Sequence, residues 1–138
     1  METRGIEGAI RIIIYGNPVT KKNSQRILKN KKTGRNFIAP SEKYVQYEKD
    51  AWPFIVKARA SGRMIDSPVN VKCIFYMNSH RRCDLVNLLE AVDDILVHYH
   101  VVKDDCADII AAHDGSRVRY DKDEPRVEIT IDEVKWND

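Results

Sequence analysis

Asp84, Glu90, Asp94, Asp104 and Asp105 are acids spaced as a divalent-metal site would need them. Asp84 stands where a helix should open, and Asn87, Glu90 and Asp94 follow on its polar side. The pair Asp104-Asp105 comes just after the helix should end. Gathering carboxylates costs electrostatic energy unless a cation offsets the repulsion, and oxygen ligands in small number suit Mg²⁺ or Mn²⁺. An ion held there would polarise a phosphodiester oxygen and activate a water, help that an electron-rich ester requires. Arg81 and Arg82, immediately before the cluster, carry forked donors matched to phosphate. These residue types point to a metal-dependent nuclease.

Each acid alone has a plainer role. Asp84 can cap the helix, Asp104-Asp105 can form a solvated turn, and Glu90 and Asp94 can be the wet side of an amphipathic helix. The argument for a site is their combination. A helix over residues 85–98 is about 20 Å long at about 1.5 Å per residue. If the chain doubles back after Val101-Val102, Asp105 enters a strand beside that helix, and the carboxylates of residues 84 and 105 can converge.

The elements that must position these groups follow from periodicity. Ile10, Ile12 and Ile14 alternate as a strand that Gly16-Asn17-Pro18 ends. Lys21 to Phe37 has turn formers and seven cations but no apolar period, so a long loop or a loose hairpin is expected. Ser41 should cap a helix from about Glu42 to Ala60, with Pro53 kinking or splitting it and Gly62 as its stop. Val69 to Met77 alternates as a second strand. Leu85, Leu88, Leu89, Val92, Ile95 and Leu96 share one side of a helix to about His98. Two more strands are expected at Ile109–Ala112 and Val127–Ile131, joined by a charged connection from Asp114 to Pro125. The order β, α, β, α, β, β predicts one small α+β domain over residues 1–138, a mixed sheet with two main helices packed on one face.

The net charge of +2 hides a polarity. Between Gly8 and Ser41 lie eight Lys or Arg and no acid, whereas Asp84 to Asp108 holds seven acids and one lysine. Lys21, Lys22, Arg26, Lys29, Lys31, Lys32 and Arg35 form a candidate surface for a sugar-phosphate backbone, flanked by Phe37 and Tyr44, aromatic side chains able to wedge or stack against bases although their expected place is the core. Three scattered cysteines without a CxxC pair fit a reducing compartment, and the chain is read as cytoplasmic, with no secretory signal and no membrane span. His98, His100, His113, Cys83 and Cys106 match no zinc spacing, and His80 has no assigned role.

The chain resembles the RusA-type Holliday-junction resolvases over nearly its whole length. The resemblance lies in the first strand with Gly16-Asn17-Pro18, Lys21-Lys22-Asn23-Ser24, and Pro40-Ser41 with Tyr44. It continues through Arg81-Arg82-Cys83-Asp84-Leu85-Val86-Asn87, Asp94, Val102-Lys103-Asp104-Asp105 and the terminal strand from Arg126 to Ile131. It implies a homodimeric, Mg²⁺- or Mn²⁺-dependent endodeoxyribonuclease, in many cases encoded by a prophage. Such an enzyme binds four-way DNA junctions in recombination and repair and nicks them symmetrically. By position, Asp84 and Asp105 match catalytic, metal-binding aspartates, and Asp94 and Asp104 match recurrent acids beside them. Two positions depart from the pattern: Val86 stands where the family has a second aspartate, and Glu90 where it has a lysine. Glu90 lies one turn beyond Val86, and helical side chains lean towards the N-terminus, so its carboxylate is the expected substitute. Asn87 would orient a ligand or water. The competing readings are a junction-binding protein of the same fold without catalysis, and a protein-binding module whose acids only keep a helix soluble.

Overall fold

Period-two alternation buries one face of each long strand. Ile12 and Ile14 of β1 (Ile10–Tyr15), Val69, Val71, Cys73 and Phe75 of β4 (Val69–Met77), and Val127, Ile129 and Ile131 of β7 (Arg126–Glu133) are all buried in one core. The structure is a computed structural model that describes residues 9–22, 26–59 and 62–135. Its remaining elements are β2 (Arg26–Lys29), β3 (Asn36–Ala39), α1 (Glu42–Ala58), α2 (Leu85–His98), β5 (Ile110–Ala112) and β6 (Arg117–Tyr120).

The main sheet is mixed. β7 lies antiparallel between β1 and β4, with Ile12 opposite Ile129 and Phe75 opposite Val127. The other edge of β4 is shared by two short parallel strands, β5 beside its start and β6 beside its end. Tyr44, Tyr47, Ala51 and Ile55 of α1, and Leu88, Ala91, Val92, Ile95 and Leu96 of α2, join the core formed by the alternating strand residues. On the opposite sheet face Arg126 pairs with Glu128 at 2.8 Å and lies 4.0 Å over the Tyr76 ring, and Arg11 reaches Glu128 at 3.0 Å. The expected α+β architecture with two helices is the one observed.

Three expectations are refined. From Arg26 to Ala39 the basic segment takes the hairpin form, one of the two expected: β2 and β3 pair antiparallel, and the Asn30 side chain accepts the Lys32 and Thr33 amides at the turn. Gly34 supplies the positive φ of 72° that closes it. Second, α1 runs through Pro53 as one helix. The amide that Pro53 lacks would have paired with the carbonyl of exposed Lys49, where water can replace it, and buried Ala51 and Ile55 hold the flanks. The helix ends at Ala58 with Arg59 as cap, earlier than Ala60, which lies outside the described residues. Third, the connection from Asp114 to Pro125 contains β6. Its Arg117, Val118, Arg119 and Tyr120 are all exposed, so no buried alternation marks it.

Candidate functional site

At the N-terminus of α2, Asp84 takes an extended backbone (φ −113°, ψ 116°), and its carboxylate accepts the Asn87 amide at 3.2 Å. The capping role is therefore real. It uses one oxygen and leaves the other available. Asp84 and Asn87 line a cavity of about 320 Å³ with Thr20, Arg82 and Cys83. Arg82 and Cys83 also border a larger cleft of about 910 Å³, whose walls include Lys43 and Arg81 and no acid. The two arginines thus stand between the helix cap and an open cationic groove.

Further along the helix, the acids are already partnered. Lys21 Nζ lies 2.9 Å from Asp94 and 5.8 Å over the Tyr44 ring, and Lys22 Nζ lies 3.5 Å from Glu90. Two lysines expected to grip phosphate clasp two of the acids expected to hold an ion. Val86 is 69% exposed in the first turn, so no packing demand explains an apolar residue there. It shares a helical stripe with Glu90 and Asp93.

The far end of α2 turns the chain back. The His100 amide donates to Val97 O at 3.0 Å and the Val101 amide to Leu96 O at 2.9 Å, the paired bonds of a Schellman closure. His100 occupies the left-handed position at φ 58°, normally a glycine's, while Val101 and Leu96 bury together. Val102 then bridges Ile65, and the exposed Asp104 carboxylate accepts the Asp105 amide at 2.8 Å.

Asp93 is the residue that sequence reasoning missed. Its Oδ2 lies 2.9 Å from His113 Nε2, and its buried Oδ1 has no donor among the described residues. Burial pushes its pKa up, and the charges of Asp105 and Asp94 push the same way, so Asp105 sits within electrostatic reach of the helix. In the sequence Asp93 is one more wet-side acid, and nothing there signals that His113, twenty residues on, will meet it. The other ring nitrogen of His113 lies 2.8 Å from Val71 O, which can only accept, so Nδ1 carries a hydrogen. One more proton must then lie between Nε2 and Oδ2. Accordingly the hydrogen bond to Asp93 raises His113 above its ordinary value of 6.5.

This pair makes a pH prediction. A histidine whose folded value is raised contributes stability that is complete below about 6.5 and is lost as pH rises through the higher folded value. Asp93, also raised, has the same sign. The urea midpoint should therefore fall between neutral and mildly alkaline pH. His113→Gln should flatten that slope relative to the parent; parallel pH profiles would show that the proton is not shared as drawn.

Of the remaining expected residues, Arg26 bonds Pro40 O at 3.1 Å and Glu42 at 3.2 Å, tying the hairpin to α1. Lys29, Lys31, Lys32 and Arg35 are exposed on the hairpin. Tyr44 is in the core, but Phe37 is not: it is 47% exposed on β3, because no other element among the described residues pairs with the hairpin. His80 stacks on Tyr120 with ring centroids 4.0 Å apart, beside Arg119 in a cavity of about 290 Å³. Cys83 and Cys106 are exposed free thiols, and no helix among the described residues is long and apolar enough to cross a membrane.

The acids and Asn87 offer only oxygen donors, the chemistry of hard divalent ions, and Asp93 Oδ1 is a buried acceptor lacking a partner among the described residues. Among the described residues no three His, Cys, Asp or Glu side chains are gathered closely enough to hold an ion. Asp84 and Asp94 stand about 15 Å apart along the helix axis. The donor chemistry fits an ion, while lysines neutralise Glu90 and Asp94 in this arrangement.

The fold is a small mixed-sheet α+β domain that sets an acid-bearing helix beside a cationic groove. The profile of one family, described as endodeoxyribonuclease RusA, matches residues 16–132. The chain belongs to the RusA endodeoxyribonuclease family, hydrolases that act on DNA, bind branched junctions and depend in general on a divalent metal. No curated protein matches the chain.

Proposed function

We propose that the chain is a divalent-metal-dependent endonuclease that resolves four-way DNA junctions by paired, symmetric phosphodiester cleavage as a homodimer. The observation that carries this is α2 itself, whose acids face lysines from the N-terminal arm while its cap adjoins the arginine-bordered cleft. Asp84 and Asp105 would hold Mg²⁺ or Mn²⁺, with Glu90 or Asp94 and Asp104 completing the oxygen set. When bound, the ion supplies Lewis acidity at a phosphodiester oxygen.

The chain's own groups do the rest. Arg81 and Arg82 bind the phosphate flanking the scissile bond through charge-assisted hydrogen bonds. Asn87, whose amide is tied to Asp84, presents its side chain at the same cavity and orients a ligand or water. Glu90, one turn beyond Val86 on the same stripe, brings a carboxylate towards the position that Val86 leaves without one. Lys21, Lys22, Arg26, Lys29, Lys31, Lys32 and Arg35 neutralise backbone charge, making affinity fall steeply with salt. A two-fold dimer would set two such sites on opposite arms.

The test is a labelled four-way junction incubated with Mg²⁺, Mn²⁺ or EDTA. Paired nicks on opposite strands, present with an ion and absent with EDTA, are expected; a linear duplex of the same sequence should stay intact. Salt-sensitive junction binding with no nicking under either ion would favour the second reading, a non-catalytic junction binder. Exposed Val86 at a ligand position supports that alternative.

A further inference from the structure

The β2–β3 ribbon exposes apolar side chains on both faces. Ile27 pairs with Ile38 across the ribbon, 75% and 68% exposed, and Leu28 pairs with Phe37, 38% and 47% exposed. Successive strand residues alternate sides, so the two pairs lie on opposite faces. A two-stranded ribbon is marginal alone. This one is anchored at its root, where Ala39 is buried and Arg26 bonds Pro40 O and Glu42. Its free end carries Lys29, Lys31, Lys32 and Arg35, and the segment from Arg26 to Ala39 has no acid.

From this we infer that the ribbon is a wedge that enters the centre of branched DNA and separates stacked bases beside the acid-lined helix. The inference rests on the branched-DNA-binding part of the proposed function. Charge decides the occupant: a second copy's ribbon would set like cations against one another, whereas a polyanion is complementary. Apolar Ile, Leu and Phe side chains flanked by Lys and Arg are the means by which proteins unstack base steps, and a branch point has steps with one neighbour already lost. The root fixes where the wedge stands. Lys21 and Lys22, just before the ribbon, clasp Asp94 and Glu90, so bases parted by the ribbon lie next to the acids.

The experiment uses the full chain and junctions with 2-aminopurine either at the branch or within an arm. Parent protein should raise fluorescence several-fold at the branch and little within the arm. Ile27→Asn with Ile38→Asn, and separately Phe37→Ser, should remove that rise. Affinity, carried by the cations, should fall by less than about tenfold. All three side chains are exposed, so folding should be unchanged by circular dichroism. Junction binding with no branch-specific rise in the parent overturns the wedge and leaves the nuclease reading intact. Variants that turn a dimer into a monomer, or a ribbon that prefers anionic vesicles to DNA, also overturn it. No affinity for branched DNA sinks both; a rise without nicking would keep the wedge and discard the nuclease.

Discussion

Asp84→Asn should lower single-turnover junction cleavage by at least about a hundredfold, beyond the 10–100-fold typical of groups that only support a ligand. The substitution separates the two roles of this residue. Asparagine is as good a helix cap as aspartate, so its side-chain oxygen can still accept the Asn87 amide, and stability should change by less than about 1 kcal/mol. What disappears is the negative charge that a divalent ion needs. Junction binding without metal should persist, since the arginines and lysines are untouched. Cleavage at the parent rate would remove Asp84 from the metal site and leave it a cap alone.

The second large effect concerns the scaffold. Phe75→Ala should cost about 3–5 kcal/mol, the usual range for truncating a buried aromatic. Phe75 is fully buried on β4, the strand that pairs with β7 on one side and with β5 and β6 on the other. It lies opposite Val127 and, in register, beside Val118. A loss of that size is a large part of the 5–15 kcal/mol by which domains are usually stable. Urea unfolding at one temperature would measure it, and a change below about 1 kcal/mol would mean that the core collapses into the space left.

Long periodic elements were legible in the residues. β1, β4 and β7 alternate without interruption, and the stripe from Leu85 to Leu96 has one helical solution. Elements stabilised by something other than alternation were not. β6 is short, charged and exposed, and exists because the edge of β4 is free to pair with it. The turn after α2 uses His100 where a glycine would have announced it, its energy met by the burial of Val101 and Leu96. The basic segment was ambiguous because its order comes from Asn30 and Gly34 in the turn and from Arg26 at the root. At the site, Asp84 as cap, Asn87 beside it and the acid stripe of α2 could be read directly. The Asp93–His113 contact could not, since it depends on how β4 and the residues after β5 lie against the helix.

Lys21 and Lys22 give the molecule a reciprocal bargain between two kinds of charge. On the proposed function, an ion arriving at Asp94 or Glu90 would displace an ammonium, and each displaced ammonium would become one more attachment for a nucleic-acid strand. Thermodynamic reciprocity then requires that a strand which recruits those ammoniums makes the vacated carboxylates more receptive, by the same factor. Half-exposed ion pairs are worth at most about 1 kcal/mol each, so the mutual encouragement is modest and fades as electrolyte is added.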